Sequence, residues 1–588
     1  MSQSRTIKTR NLIAYGMGDL YGGGSFFLIS TFAMYYLITV VGLSPLLAAL
    51  VPGLGKVWDA ISDPLMGYIT DHTKSRFGRR RIYFLIGIIP IIVTFTLIWI
   101  PVSFNNQIFT FLYYFIAYLF FYTVITMVMT PYSALSAEMT QNFKERNKLT
   151  GTRMIFSLLA TLARGVLAQP IIEAFPEPSQ GHMVMGLVFS LLFAIPWLFV
   201  FLGTWELPVS EQSVSDVNVL QNFKSIFLNR SFLIHIAMYI CSYGALDILM
   251  GWFKFYMVDY LNAQNFIVFG LGAILICEVI GLPFYVSYAN KRGHARAYMI
   301  GLIIWAVGMV LLVFHQPFDV NASAGLYPQF LLLIANCMLV GFGSSAGIVI
   351  PWTVLPFTTD VDEIITKQKR AGIYSGAMTL LRKLIQGALV IPLLGLMLTV
   401  IDYQEPSRYH VILTQSTGKI IQNAKSLIRT TDYHSMRDTR DQLARNISRF
   451  ERAFMDMGEN TNRESILRSI ASIKILNSEI KEENTIENNR AQAELIAQTG
   501  EGILNDLRIQ QAPESINMLR ILFIIAPLVL ISLGIIFSLK FKINPFTHSI
   551  LMEEIERLKA GGKKEKVTPE VKRVCEELTG RRYDDLYK

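Results

Sequence analysis

The sequence predicts an all-α polytopic membrane protein, with about twelve membrane-spanning helices in two six-helix halves and a helical extracytoplasmic insertion. Three observations predict this class. Only 16% of the 588 residues are charged, whereas soluble proteins carry about 25%. Apolar stretches of roughly 20 residues, each long enough to cross a bilayer as a helix, recur along the chain. Because lipid accepts only helices and closed barrels, we expect these stretches to be helices.

The predicted spans alternate with two kinds of loop. We place the spans at 10–40, 45–71, 82–101, 107–138, 150–172, 184–204, 231–258, 264–290, 296–315, 325–356, 371–402 and 517–540. The N-terminus is basic, as are the loops at 74–81, 144–148, 290–297 and 367–370. The alternate loops, at 103–107, 173–182, 261–265 and 316–325, contain no Lys or Arg. The positive-inside bias therefore predicts a multi-pass protein with both termini in the cytoplasm.

Polar segments divide the chain into parts. The predicted parts are an N-terminal six-helix half at 1–204, a cytoplasmic linker at 205–230, spans 7–11 at 231–402, an insertion at 403–516, span 12 at 517–540 and a cytoplasmic tail at 541–588. The helix predicted at 550–562 in the tail is amphipathic, and we expect it to be solvated rather than to lie on the membrane. The net charge of +9 does not indicate nucleic-acid binding, because the basic residues cluster in short loops between spans.

The insertion at 403–516 is polar and carries helical stripes of apolar residues. One stripe consists of Leu443, Ile447, Phe450 and Phe454, which share one helix face. We therefore predict a helical hairpin or small bundle outside the cytoplasm. Two roles remain open for it: a solvated cap or spacer, and a domain that captures substrate or binds a partner whose identity is unknown.

Two acids in the predicted second span are the main functional signal. Asp59 and Asp63 are spaced i, i+4, so they share one helix face, and Lys56 lies one turn earlier. A charge in a membrane helix costs about 3 kcal/mol or more unless it faces a cavity or a partner. A cation between the two acids would relieve their repulsion. Ser62 and Thr126 offer hydroxyl ligands, which suit Na⁺ or Li⁺, although an internal salt bridge from Lys56 is the structural alternative.

Further charges in predicted spans indicate a polar central cavity. Asp19 lies in the first span, and Arg153 and Arg164 are eleven residues apart in the fifth, which returns them to one face. Spans seven, eight and eleven contain Asp247, Lys254, Glu278, Arg382 and Lys383. For each of these residues, structural pairing and contact with a ligand are both open. We identify no catalytic constellation, and we expect neither an enzyme nor a cofactor other than the coupling ion.

Several motifs resemble the glycoside–pentoside–hexuronide:cation symporter family, the melibiose-permease type within the major facilitator superfamily. The most specific is WDAISDPLMGYITDHTKSRFGRRRIYFLIG at 58–87. Supporting motifs stand in the family order at 15–20, 130–135, 145–157 and 372–389. The resemblance implies two six-helix halves that alternate access to a midplane site.

The resemblance also implies roles for individual residues. Asp59 and Asp63 match the cation-binding acids, and Ser62 and Thr126 match ligating positions. Lys383 matches a lysine beside the cation site, and Arg153 an arginine associated with sugar binding. The segment formed by Asp71, Arg76, Arg79 and Arg80 resembles the loop motif that latches the cytoplasmic gate.

The sequence departs from the family pattern where the sugar binds. Gly23 and Met129 stand where the melibiose-permease type has acids, and Ser133 stands where it has a stacking tryptophan. The cation half of the site is thus kept, while the galactoside half is not. We expect symport of a different sugar or glycoside, coupled to Na⁺ or H⁺, in a bacterial inner membrane. The alternatives are a carrier of a lysolipid or other amphiphile, and a non-transporting receptor or scaffold.

Overall fold

Helices make up the ordered structure of the chain in a computed structural model. The structure describes residues 7–140, 143–175, 177–206, 226–318, 326–367, 370–405, 408–429, 433–455, 463–481, 484–507 and 511–587. Within these ranges the regular elements are helices, with no β-strand. Most of the predicted linker at 205–230 lies outside the described residues.

The N-terminal half contains six spans. The first is interrupted at Gly18 and passes through two π-helical segments before it ends at Val40. The elements are α1 (Thr9–Met17), α2 (Asp19–Leu28), the π segments Ile29–Ala33 and Tyr36–Val40, α3 (Pro45–His72), α4 (Ile82–Trp99), α5 (Gln107–Met139), α6 (Phe143–Glu173), α7 (Pro178–Ala194) and α8 (Pro196–Gly203). Proline occupies the first position of α3, α7 and α8, where its missing N–H costs no helical hydrogen bond. The helices α7 and α8 together form the sixth span.

The C-terminal half repeats this plan but carries an insertion. Its spans consist of α9 (Arg230–Phe255) with the π segment Tyr256–Tyr260, α10 (Ile267–Arg292), α11 (His294–Leu311), α12 (Leu326–Thr366), α13 (Ala371–Ile385) with the π segment Gln386–Val390 and α14 (Ile391–Val400), and α19 (Pro513–Lys540). Asn229 caps α9 by accepting a hydrogen bond from the Phe232 N–H.

Three of the twelve spans are less apolar than the rest. Among the described residues, nine spans are long and apolar enough to cross a membrane by length and composition alone. The first, second and fifth spans are not among them. These three carry Asp19, the pair Asp59 and Asp63, and Arg153. The predicted all-α polytopic class is confirmed. The three less apolar spans hold several of the candidate residues, while Thr126, Met129 and Lys383 lie in spans of the apolar set.

The insertion forms a four-helix bundle with its own core. Its helices are α15 (Arg408–Arg429), α16 (Tyr433–Met455), α17 (Arg463–Glu479) and α18 (Ile486–Asp506). The stripe predicted in α16 is buried in this core, together with apolar residues of the other three helices. The bundle therefore buries its apolar surface largely without the membrane helices.

The C-terminal tail packs onto the protein, which corrects the expectation that it is solvated. It contains α20 (Pro545–Lys559) and α21 (Pro569–Thr579). Leu551 and Ile555, one turn apart on α20, are fully buried. At its edges, His548 lies 2.9 Å from Asp360 and Lys559 lies 2.6 Å from Glu363. The apolar residues Leu551 and Ile555 of this amphipathic helix thus pack into the protein, and the helix lies against the end of α12.

The two halves touch at one end and part at the other. We call the end that carries residues 73–81 and the tail the basic end, and the opposite end the insertion end. At the insertion end, backbones approach closely: a methyl group on Gly387 would come within 2.6 Å of the Gly53 carbonyl oxygen. Towards the basic end, a methyl group on Gly67 of α3 or Gly376 of α13 would meet no described atom of another element within 4 Å. The space between the halves therefore opens towards the basic end.

Candidate functional site

A buried cluster of charges joins the two halves at the middle of α3. Asp59 is 1% exposed, and Asp63, one turn further along, is partly exposed. Lys383 of α13 places its Nζ 2.9 Å from Asp59 Oδ2 and 2.5 Å from Asp63 Oδ2. Lys56 Nζ lies 3.2 Å from the same Asp59 oxygen. The structure thus brings together the two acids and both lysines selected from the sequence.

Hydroxyl groups from α3 and α5 complete the cluster. Thr126 donates a hydrogen bond to Asp59 Oδ1 at 3.0 Å, and its Oγ1 lies 3.1 Å from Ser62 Oγ. Thr130, which the sequence reasoning missed, donates to Asp63 Oδ1 at 3.3 Å. The sequence could have indicated this ligand position, because Thr130 follows Thr126 by four residues and so shares its helix face.

The charges in this cluster balance as two carboxylates and two ammonium groups. Opposite charges in a medium of low dielectric constant attract strongly, which offsets the cost of removing them from water. Lys383 Nζ lies between the carboxylates, in the position that a monovalent cation bound to both acids would occupy. Lys56 is also held by the ring of Phe26, whose centroid lies 3.8 Å from Nζ. A cation can therefore bind both acids only if the Lys383 ammonium moves.

A cavity of about 600 Å³ lies next to the charge cluster, between the halves. Residues of both halves line it, including Lys56, Lys383 and the candidate substrate residues Asp19, Gly23, Met129 and Arg153. The position between two halves is where ligand sites of such repeat-built membrane proteins are found. The cavity and the charge cluster thus share Lys56 and Lys383.

Arg153 and Asp19 form an ion pair on the wall of this cavity. The Arg153 Nε lies 3.0 Å from Asp19 Oδ1, and its guanidinium lies 4.9 Å from the centroid of the Tyr132 ring. Gly23 packs so closely on α6 that a methyl group there would come within 2.2 Å of Ser157 Oγ. Arg164 lies further along α6, but its side chain is outside the described part of the structure.

The C-terminal half contributes a polar and aromatic wall that the sequence reasoning did not assign. Arg382 lies 3.8 Å from Asp247 and 4.1 Å from the centroid of the Tyr243 ring. The indole Nε1 of Trp352 donates to the Tyr243 hydroxyl at 2.9 Å. The charged residues were visible as intramembrane charges, but the aromatic ones are indistinguishable in sequence from packing residues. Such a wall offers hydrogen bonds and stacking faces to a polar ligand.

The predicted gate residues lie at the basic end, in the turn between α3 and α4. The Glu206 carboxylate accepts hydrogen bonds from the backbone N–H groups of Arg79, Arg80 and Arg81 at 2.7–3.0 Å. Arg76 lies over the neighbouring Phe77 ring, with 4.7 Å between the guanidinium carbon and the ring centroid. Asp71 lies in the last turn of α3, and its side chain is not among the described ones. Glu206 thus fixes this turn against the end of the sixth span.

Comparisons with known proteins agree with this architecture. The sequence model of the family described as MFS/sugar transport protein matches residues 14–422. A symporter of Synechocystis sp. is 26% identical over 475 residues, which cover 65% of this chain and 85% of the relative. A sodium-dependent lysophosphatidylcholine symporter of Danio rerio is 22% identical over 365 residues, 56% of this chain and 66% of the relative.

Solved structures include proteins with a similar overall fold, and we describe one of them. It is a bacterial homologue of the human lysosomal transporter Spinster, in an inward-facing and unoccupied conformation. The superposition has a TM-score of 0.52 and 11% sequence identity, and it covers 92% of this chain and all of that one. This similarity concerns the fold alone.

Proposed function

The chain belongs to the MFS/sugar transport family of secondary transporters, and we propose that it couples the entry of Na⁺ or H⁺ to uptake of a sugar or glycoside. It is a transporter and not an enzyme. The observation that carries the proposal is the pair of membrane carboxylates, Asp59 and Asp63, bridged by the Lys383 ammonium of the opposite half. A structural scaffold has no need of such a pair beside a cavity.

Cation binding supplies the coupling step. The cation enters between Asp59 and Asp63, takes further ligands from Ser62 and Thr126, and displaces the Lys383 ammonium. Displacement breaks the ion pairs that tie α13 to α3. The freed lysine lines the central cavity, so its position links the cation site to the substrate.

Alternating access then moves the loaded cation and substrate across the membrane. The positive-inside bias supports an orientation in which the basic end faces the cytoplasm of a bacterial cell. The halves touch at the insertion end and part at the basic end, as expected for an inward-open state. Closure at the basic end, where Glu206 holds the turn at Arg79–Arg81, would open the insertion end instead.

The cavity supports a sugar or glycoside as substrate. Its volume of about 600 Å³ is in the range of small-molecule sites. The ion pair of Asp19 and Arg153 on one wall and the Tyr243 and Trp352 groups on the other suit hydroxyl groups and the apolar face of a sugar ring. Gly23 and Met129 on the wall offer no acid, which argues against a galactoside held by two carboxylates.

A lysolipid is the second candidate. Part of the cavity wall is apolar, with Phe26, Phe27, Ile29, Met34 and Leu246. An acyl chain could lie against these residues while a headgroup occupies the polar wall. The similarity to a sodium-dependent lysophosphatidylcholine symporter supports this alternative.

Uptake into right-side-out membrane vesicles tests the proposal. A panel of labelled glycosides and lysophosphatidylcholine is offered with an imposed Na⁺ gradient, with a matched H⁺ gradient, and with neither. We expect gradient-dependent accumulation of a glycoside. Accumulation of lysophosphatidylcholine alone would replace the sugar with the second candidate.

Variants of the paired acids test the coupling. Asp59→Asn and Asp63→Asn should abolish cation-driven accumulation while the protein still inserts into the membrane. Glu514→Gln removes an exposed carboxylate at the start of α19 and serves as the matched control. Accumulation at the wild-type level in both Asp variants would refute cation coupling through this pair.

A further inference from the structure

A second cavity lies at the basic end, away from the central one. It has a volume of about 670 Å³ and lies between the turn that joins α10 to α11 and the junction of α19 with α20. Four basic side chains line it: Lys291, Arg292, Arg296 and Lys542. Among the described residues, no Asp or Glu lines it. The cavity is therefore strongly cationic.

The four cations have no partner of opposite charge among the described residues. None of their side chains lies within 4.0 Å of a described carboxylate, although other basic residues at this end do. Lys559 pairs with Glu363 at 2.6 Å and Arg557 with Glu554 at 2.8 Å. Four like charges around one cavity repel each other, and a bound anion would relieve this repulsion.

The cavity lies at the depth of lipid headgroups. Three membrane spans begin or end there: α10 ends at Arg292, α11 begins at His294 and α19 ends at Lys540. Two apolar side chains of the cavity wall, Leu539 and Phe546, are each 62% exposed. A ligand with an anionic head and apolar chains fits this combination, whereas a free anion would leave Leu539 and Phe546 uncovered.

We propose that this cavity binds the phosphate-bearing headgroup of an anionic phospholipid, with the acyl chains lying along Leu539 and Phe546. Arg292 and Arg296 suit a phosphate because guanidinium groups donate paired hydrogen bonds to its oxygens. The bound lipid would tie the α10–α11 turn to the α19–α20 junction. It would thereby hold the docked tail against the C-terminal half.

Native mass spectrometry of the full-length protein tests the proposal. The probes are dioleoyl phosphatidylglycerol, dioleoyl phosphatidylcholine with the same acyl chains, and inorganic phosphate. We expect retention of phosphatidylglycerol, and an apparent Kd about thirtyfold higher in the double variant Arg296→Gln and Lys542→Gln, at roughly 1 kcal/mol per basic residue. The matched control is Lys563→Gln with Lys566→Gln, which removes two exposed charges from the tail.

Each outcome decides the proposal. Loss of phosphatidylglycerol affinity in the cavity variant but not in the control supports it, provided both unfold at the wild-type temperature in phosphatidylcholine. Equal affinity in the variant and the wild type overturns it. Equal retention of phosphatidylcholine, or inorganic phosphate that displaces phosphatidylglycerol at similar concentrations, overturns the assignment to an anionic lipid. Uptake is not the readout, so failure of the symport proposal would leave this result unaffected.

Discussion

At the scale of single residues, the proposed cation site predicts that the hydroxyl groups around Asp59 determine how tightly a cation is held. Thr126 contacts both Asp59 and Ser62, so it fixes the geometry of the oxygen ligands. Loss of one hydrogen-bonding hydroxyl costs about 1–1.5 kcal/mol. Thr126→Val should therefore raise the cation concentration needed for half-maximal uptake about tenfold. The measurement is the Na⁺ dependence of initial uptake rates.

The matched control for this change is Thr123→Val on the same helix. Thr123 accepts a hydrogen bond from the exposed Trp58 and does not contact the charge cluster. It should keep the wild-type Na⁺ dependence. An unchanged Na⁺ dependence in Thr126→Val would exclude its hydroxyl from the cation ligands, and H⁺ coupling would become the better reading.

At the scale of helices, glycines mark the surfaces that would close in the proposed alternating-access cycle. Gly67 lies one turn beyond Asp63 on α3, and Gly376 lies two turns before Lys383 on α13. Both face open space among the described residues, while Gly53 and Gly387 in the same two spans are in tight contact. The charge cluster thus separates a closed region from an open one, and the open glycines are where the halves would meet after closure.

A bulky side chain at these positions should block that closure. Overpacking costs about 1–3 kcal/mol, which shifts the equilibrium between the two states by about fivefold to more than a hundredfold. Gly67→Leu and Gly376→Leu should therefore slow uptake while cation binding persists. Spin-label distances across the insertion end would report the trapped state. The control is Gly502→Leu, at an open position in the insertion, which should take up substrate at the wild-type rate. Wild-type uptake in both Gly67→Leu and Gly376→Leu would contradict this account of closure.

The helices also show what the sequence can predict. Hydrophobic length predicted most of the spans, and i, i+4 spacing predicted the shared face of Asp59 and Asp63, because both patterns are local. The contact of Lys383 with Asp63 joins residues 320 positions apart, and it followed from the family resemblance rather than from spacing. The docking of α20 was missed because an amphipathic helix has the same pattern whether its apolar face meets protein or lipid.

At the scale of the whole molecule, the insertion belongs to one half in sequence and contacts the other in space. It follows α14 in the C-terminal half, yet Gly418 of α15 lies against Glu177 at the start of α7 in the N-terminal half. Glu177 is buried and accepts a hydrogen bond from Ser179. Burial raises the pKa of Glu177 above its ordinary value, against the opposing effects of Ser179 and of Lys419 and Arg449 in the insertion.

This raised pKa predicts that acid strengthens the contact. A carboxyl whose folded pKa is raised contributes its stabilisation below the ordinary value, about 4.3, and loses it as the pH rises through the folded value. Spin labels attached at Asn105→Cys and Gln422→Cys report the distance between the N-terminal half and the insertion. We expect this distance to shorten when the pH is lowered from neutral. In the Glu177→Gln variant, the distance between the two labels should be short already at neutral pH. If the label distance depends on pH in Glu177→Gln as it does in the wild type, the pH dependence comes from another group. Glu514→Gln, which changes an exposed carboxylate, is the control.

Removal of the insertion decides whether it caps the transporter or takes part in its work. Its two ends are adjacent, because Gln404 and Gln511 exchange two hydrogen bonds of 2.9 Å between backbone and side chain. A short Gly-Ser linker can therefore replace residues 405–510 without displacing α14 or α19. The bundle has its own core, and none of its described residues lines the central cavity. We therefore expect the shortened protein to insert into the membrane and to accumulate substrate at a rate near that of the wild type. A folded but inactive product would show that the insertion captures substrate, and unchanged cation binding in that product would separate this role from the coupling site.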